Sequence, residues 1–157
     1  AKIIAMDNSR NKLADLAATG GLLHDIGKLI ILSLDRKLIE KMNTLQIKDR
    51  DSSVLIEEFT VGISHADIGG RLLRKWSFPE DLIHIVQFHH RPFLAPPEHR
   101  DLLEIVYLAN MMLDTLENRA SYFTINQEIL KTFKLDNEAV FTKYLDKIDL
   151  QFRSAHS

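Results

Sequence analysis

The sequence predicts an all-α protein that folds as a helical bundle. Glycine and proline, which interrupt helices, number only 6 and 4 among 157 residues. Apolar residues recur at helical spacing along most of the chain, and the apolar run Leu29–Leu34, broken only by Ser33, is short enough to suit a strand as well as a helix. The length is typical of one domain, so we expect residues 1–157 to form a single unit.

The predicted helices of the N-terminal half follow from this periodicity. Small and apolar residues share one side of the second helix, where Gly20 and Gly21 favour close packing against a neighbouring helix over a phosphate cradle. The fourth is amphipathic, with the sequence DRKLIEKMNT. In order, the helices are Ala1–Ala5, Asn11–His24, Asp25–Leu34, Asp35–Thr44 and Ser52–Phe59.

The C-terminal half carries clearer start and stop signals. Ser64 with Asp67 is typical of a capping box, Pro79 suits a first helical turn, and Pro92 ends a helix. We expect Trp76 to be largely buried, with Trp76→Ala costing about 3–5 kcal/mol. The predicted helices are His65–Trp76, residues 79–90, Asp101–Asn118, Glu128–Phe133 and Asn137–Ile148; Leu102, Ile105, Val106, Ala109 and Leu113 form the apolar face of the long one.

Composition excludes several functional classes. The chain has no cysteine, which rules out disulfides, thiolate zinc sites and a cysteine nucleophile. The 20 basic and 22 acidic residues leave no general nucleic-acid footprint. No apolar run reaches the length of about 18 residues that a membrane span needs, and no signal-peptide layout is visible. We therefore expect a cytoplasmic domain that binds neither nucleic acid nor membrane, with some upstream segment missing before Ala1.

Helical spacing sorts the seven histidines. His24, His65, His89 and His90 fall on inward faces of three helices, whereas His84 and His99 lie on polar stretches and His156 lies in the tail. Asp25 directly follows His24, so a break in the helix is needed to aim both side chains at one point. Imidazoles and carboxylates are ligands of divalent metals, which can activate water against a phosphoester. The alternative is that each histidine is a core residue bonded to a backbone carbonyl or to water.

Three strings together resemble one family. They are GGLLHDIGKLIIL at 20–32, HADIGGRLLRKWSFPEDLIHIVQFHHRP at 65–92, preceded by Glu58, and LLEIVYLANMM at 102–112. The first is similar to the motif of the HD metal-dependent phosphohydrolases, and the full order resembles the HD-related output domain, or HDOD domain, of bacterial signalling proteins. This resemblance covers roughly residues 1–112. It implies an HD-domain-like helical bundle, usually with a further helical subdomain upstream that we expect to be absent here.

The resemblance also implies roles for particular residues. Lys28 matches the lysine that faces the substrate phosphate in active relatives. Two positions depart from the active pattern, because no histidine precedes His24 and because Asn110 stands where an aspartate is expected; Asp114 lies one turn, about 5.4 Å, further on. Arg91-Pro92-Phe93 disfavours the cyclic-dinucleotide phosphodiesterase branch. The implied metal ligands are His24, Asp25, His65, His89 and His90.

Three functions stay open on these grounds. The one we favour is a bacterial signalling module that acts by contact with another signalling protein, another domain or a second copy of itself. Its degenerate site would bind Mn, Fe, Ni, Mg or Zn weakly or not at all, without useful phosphohydrolase activity. The second is a metal-dependent phosphohydrolase acting on nucleotides or other phosphoesters, with Lys28 as a catalytic residue. The third is a purely structural helical domain. Asn110 and the missing upstream histidine decide this order.

Overall fold

The computed structural model describes residues 1–33, 40 and 50–154, and within them the chain forms helices and turns without a strand. This confirms the all-α prediction for these residues. Apart from Glu40, the predicted helix Asp35–Thr44 lies outside them. Short 3-10 turns occur at Asn11–Leu13, Pro92–Leu94, Pro97–His99 and Tyr122–Thr124. The α-helices are α1 (Lys2–Asp7), α2 (Ala14–Leu23), α3 (Ile26–Leu32), α4 (Arg50–Val61), α5 (His65–Lys75), α6 (Glu80–Phe88), α7 (Arg100–Leu116), α8 (Gln127–Thr132) and α9 (Glu138–Ser154).

Helix α7 runs through the centre of the core. It contacts α1, α2, α6 and α8, so residues around most of its circumference are buried. The predicted single apolar face is therefore too narrow, because Leu103 and Leu108 are also fully buried. The prediction is also wrong in placing Leu113 on the buried face, because its side chain is 49% exposed. A central helix needs apolar residues on several sides, and a one-stripe pattern underestimates them.

Helices α5 and α6 form a tightly packed hairpin. The Asp67 N–H donates to the Ser64 hydroxyl at 3.2 Å and so begins α5, as the sequence predicts. The helix ends in a Schellman motif, with Ser77 in the left-handed region (φ 56°) and the Phe78 N–H donating to the Leu73 carbonyl at 3.0 Å.

This ending makes the predicted burial of Trp76 wrong. Trp76 is the C-terminal cap of α5, and it is 55% exposed. Its ring lies 6.4 Å from that of Phe78, outside the interface between α5 and α6. Leu73 is 1% exposed and fills the core on this side. The turn after the helix therefore directs the tryptophan outward.

Helix α3 crosses α5 with their backbones in close approach. A Cβ atom built on Gly27 would lie only 1.9 Å from the His65 carbonyl oxygen and 2.9 Å from the Gly69 nitrogen. Gly20 faces Ile85 of α6, which fits the predicted close packing of α2, whereas Gly21 has only ordinary contact with Ala1. At the α3–α5 crossing, Gly27 and Gly69 therefore set how near the first turn of α5 lies to Asp25.

The C-terminal helices close over the N-terminal end of the chain. Lys147 of α9 forms an ion pair with Asp7 at 2.6 Å, and the Arg10 guanidinium lies 4.6 Å from the centre of the Phe133 ring. Buried apolar residues from Ile4 to Leu145 form one continuous cluster. Among the helices described, none is both long and apolar enough to span a bilayer.

Candidate metal centre

Three segments of the fold bring four of the predicted metal ligands together. Asp25 lies in the break between α2 and α3, His65 begins α5, and His89 and His90 follow the end of α6. One ligand atom from each lies within 4.8 Å of the others. The helix break expected at His24-Asp25 is present, because α2 ends at Leu23 and α3 begins at Ile26.

Hydrogen bonds fix the orientation of three imidazole rings. The His24 Nδ1 donates to the Gly21 carbonyl and the His89 Nδ1 to the Val86 carbonyl, each at 2.8 Å. The His65 Nδ1 donates to the Glu57 carboxylate at 2.6 Å. Since these oxygens only accept, each Nδ1 carries the hydrogen and each Nε2 is directed toward the cluster. Metal-ligating histidines are usually held in this way, with the second ring nitrogen bonded to a carbonyl or a carboxylate.

The separations between the inward atoms suit a small divalent cation. His65 Nε2 lies 3.3 Å from His89 Nε2, 3.0 Å from His90 Nε2 and 3.2 Å from Asp25 Oδ1. Ligand atoms bonded to one metal at about 2.0–2.2 Å lie about 3.0–3.6 Å apart. Imidazole nitrogens this close together repel one another unless a proton or a cation lies between them. The donor set and its spacing therefore fit a divalent metal.

His24 and Lys28 lie on the other side of the Asp25 carboxylate. His24 Nε2 is 3.4 Å from Asp25 Oδ2, and its ring meets the edge of the His89 ring at a centroid distance of 4.9 Å. The Lys28 ammonium donates to the same Oδ2 at 2.7 Å. Thus His24 lies beside the group of four rather than within it, and Lys28 pairs directly with a predicted metal ligand.

The charges around the centre shift the pKa values of its residues. Burial acts to raise the pKa of Asp25, but the hydrogen bond with His65 and the nearby His24 and Lys28 hold that pKa well below its usual range. Burial acts to lower the pKa of His65, but its bonds to Asp25 and Glu57 raise it above its ordinary value. Burial, with His90 next, lowers the pKa of His89 well below its ordinary value. Asp25 is thus ionised and His89 neutral near pH 7, as metal ligands must be, whereas a metal on His65 would have to displace a proton that Asp25 and Glu57 favour.

Glu57 of α4 is the residue that the sequence analysis missed. It is buried, and one of its carboxylate oxygens accepts both the His65 backbone N–H at 2.7 Å and the His65 Nδ1–H at 2.6 Å. The resemblance points to its neighbour Glu58 instead. The available signal was helical spacing, since Glu57 follows Val54 by three residues and precedes Val61 by four, which places a carboxylate on an apolar face.

The resemblance also concerns two polar positions on α7. Asn110 is buried on α7, and its part as a neutral replacement for an aspartate stays a prediction. Asp114 is buried as well, but its carboxylate accepts two hydrogen bonds from the Arg119 guanidinium, at 2.7 and 3.0 Å. Asp114 thus stabilises the C-terminal end of α7 through its ion pair with Arg119.

Comparison with known protein families shows to which family this chain belongs. The sequence profile of the HDOD domain matches residues 1–92, more than half of the chain. The chain belongs to the HDOD domain family. The match includes the His-Asp dyad and the paired histidines of this HDOD domain, and it ends before the segment 102–112 that the sequence analysis also assigned to the resemblance.

One curated relative adds to this assignment. An uncharacterized protein of Treponema pallidum (strain Nichols) is 29% identical over 118 residues, which make up 75% of this chain and 23% of the relative. The HDOD domain described here thus spans about a quarter of that protein's length. No solved structure matches the chain.

Proposed function

We propose that this chain is a regulatory module of bacterial signalling proteins, which works in the cytoplasm through contact with another protein and holds a divalent metal at a degenerate HD-type site. The observation that carries the proposal is the state of Asp25. Its inner oxygen faces His65 and His89, whose side chains are fully buried, and its outer oxygen is bonded to Lys28. The carboxylate is therefore engaged on both sides and Lys28 is already paired, which supports a site that holds a metal without turning over a substrate.

A bound divalent metal would supply positive charge and polarise water in such a site. Asp25, His65, His89 and His90 are the residues that would hold it, with His24 beside them. Hydrolysis needs in addition an open position for water and a route for substrate. The ammonium of Lys28 lies at the outward side of the carboxylate, where such a route would begin.

The second candidate function is a phosphohydrolase acting on nucleotides or other phosphoesters. It draws support from Lys28 itself, whose side chain is 40% exposed at the rim of the cluster. A lysine that exchanges its carboxylate partner for a phosphate group would bind substrate there. In this candidate, Lys28 changes partner and the metal centre is exposed to water.

Metal analysis and an activity assay separate the two candidates. We expect protein purified without chelator to contain a transition metal, and to bind Mn²⁺, Fe²⁺, Ni²⁺ or Zn²⁺ on titration. We expect no turnover of a generic phosphodiester, nucleoside monophosphates or cyclic dinucleotides with any of these metals. Turnover that disappears in a His24→Ala, Asp25→Ala double variant would establish the hydrolase instead. Absence of metal binding would contradict the hydrolase and the metal-holding part of the first proposal.

The partner in this proposal is another signalling protein or domain, or a second copy of the chain. Support comes from exposed apolar side chains on α2 and α3, where Leu22 is 83% and Leu29 62% exposed. Sedimentation over a range of concentrations tests the second copy. A Leu22→Ser, Leu29→Ser variant should then associate more weakly than the wild type, while Leu55→Ser on α4 serves as the control. Unchanged sedimentation of the wild type at all concentrations would leave only a different protein as partner.

A further inference from the structure

Helix α4 carries a carboxylate in the middle of its inward face. Val54 and Glu57, one turn apart, are 5% and 4% exposed, whereas Leu55 and Phe59 on the other side are 57% and 88% exposed. The inward face of a short packed helix is normally apolar. A buried carboxylate there is costly unless hydrogen-bond donors meet it. The packing of α4 against the rest of the protein therefore depends on which hydrogen-bond donors contact Glu57.

The donors come from one residue of the metal centre. The Glu57 Oε2 atom accepts the His65 backbone N–H and the His65 Nδ1–H, at 2.7 and 2.6 Å. His65 is the first residue of α5, where a backbone N–H has no partner within its own helix. Glu57 thus satisfies the start of α5 and, through the same oxygen, holds the imidazole ring. The opposite nitrogen of that ring faces Asp25 and the paired histidines.

We propose that Glu57 is a positioning residue which keeps the hydrogen of His65 on Nδ1 and turns Nε2 toward the metal, and that metal binding and the docking of α4 thereby stabilise each other. The inference rests on the metal site of the proposed function. A metal on Nε2 favours the tautomer that Glu57 needs, and Glu57 favours the tautomer that the metal needs. By linkage, the two effects are equal in free energy.

The first test compares metal affinity in two matched variants. Glu57→Gln removes the charge but keeps the size, and Glu58→Gln makes the same change at the next position of the same helix. In a competitive titration with Zn²⁺ and with Mn²⁺, we expect Glu57→Gln to bind about 10- to 100-fold more weakly than the wild type. We expect Glu58→Gln to bind as the wild type does.

Nitrogen-15 NMR of the imidazole rings gives a readout that loss of packing alone would not change. In metal-free protein, at a pH where the ring is neutral, the wild-type His65 should show a protonated Nδ1 and an unprotonated Nε2. The Glu57→Gln variant should show a mixture of tautomers, because an amide oxygen holds the Nδ1–H less strongly than a carboxylate. A single Nδ1–H tautomer in both proteins would overturn the positioning role.

Hydrogen exchange tests the coupling to α4. Adding Zn²⁺ to the wild type or to Glu58→Gln should slow amide exchange in α4 as well as in α5 and α6. In Glu57→Gln, at a metal concentration that saturates the site, the slowing should persist in α5 and α6 and disappear from α4. Protection of α5 and α6 without α4 in the wild type would overturn the coupling.

The outcomes separate this inference from the proposed function. If the wild type binds no metal, the metal site and the coupling fail together. If it binds metal and Glu57→Gln binds equally well, the positioning role fails and the metal site stands. Circular dichroism first checks that Glu57→Gln folds. If it does not, the wild-type tautomer and the wild-type exchange with and without Zn²⁺ decide the inference.

Discussion

Replacing Gly27 with alanine tests how the α3–α5 crossing builds the metal centre. The added Cβ atom would lie 1.9 Å from the His65 carbonyl oxygen, 2.8 Å from the His65 carbonyl carbon and 2.9 Å from the Gly69 nitrogen. All three are backbone atoms, so no side chain can rotate away. Ordinary contact begins near 3.4 Å, and the two helices must therefore separate by about 1.5 Å at this point.

The size of the effect follows from this displacement. Over-packing a core typically costs about 1–3 kcal/mol and occasionally more, and a backbone clash belongs at the upper end. Alanine returns about 0.5–1 kcal/mol because it favours helix more than glycine does. We therefore expect Gly27→Ala to lower the free energy of unfolding by about 2–3 kcal/mol. In a protein of this length, that corresponds to a fall in Tm of about 4–12 °C.

Urea unfolding followed by circular dichroism measures this loss, and Gly21→Ala is the matched control. Gly21 lies in α2, where a Cβ atom would have only a 3.4 Å contact with Ala1. That variant should be unchanged or more stable by up to about 1 kcal/mol. A Gly27→Ala loss below about 1 kcal/mol, or one equal to that of Gly21→Ala, would refute the reasoning from the crossing. The Gly27 variant should also bind Zn²⁺ more weakly, since the clash displaces His65 from Asp25.

Three other substitutions probe separate features. Trp76→Ala should cost less than about 1 kcal/mol in urea unfolding, because the side chain is 55% exposed, and a loss of 3 kcal/mol would restore the expectation of burial. Lys28→Met should strengthen Zn²⁺ binding about 3- to 10-fold in competitive titration, because a positive charge leaves the Asp25 carboxylate; weaker binding would show that Lys28 supports the site. Burial and the nearby His99 lower the pKa of His84 in the folded protein. The unfolded chain therefore binds a proton on His84 more readily than the folded protein does. The contribution of His84 to the free energy of unfolding is complete above about pH 6.5 and falls as the pH drops below that value. His84→Phe should therefore lose less stability than the wild type between pH 7 and pH 5, and an equal loss would exclude His84 as a source of the acid sensitivity.

Local signals in the sequence predicted the helices and most of the centre. The Ser64 cap, the proline stop at Pro92 and the apolar spacing depend on neighbours a few residues away, so a single sequence carries them. The inward placement of His65 and His89 follows from the same periodicity. The resemblance adds the expectation that they meet Asp25 at one point, and the structure places the facing atoms of the three residues 3.2–3.6 Å apart.

Features that depend on tertiary geometry were not predictable in this way. The ring of His84 lies 4.3 Å from that of His99, which bonds to Asp81 at 2.6 Å across a loop of proline-rich turns. The sequence places His84 and His99 only on polar stretches. The exposure of Trp76 depends on the conformation of the turn that follows it. The role of Glu57 depends on a partner eight residues away, at the start of another helix. For the histidines and for Glu57, the deciding contact joins two elements whose relative placement periodicity does not encode, and for Trp76 it is a left-handed turn residue that periodicity does not indicate.

The continuous core has a practical consequence for anyone cutting this protein into fragments. The family profile ends at residue 92, yet Ile4 and Ala5 belong to the same apolar cluster as Leu130, Phe133 and Phe141. A fragment that stops at Pro92 would leave α1, α2 and α6 without α7, and would expose to water the side chains that α7 normally covers. Such a fragment should be recovered as aggregate or as unfolded chain. The segment that the family profile matches and the apolar core of the described residues thus have different boundaries in this molecule.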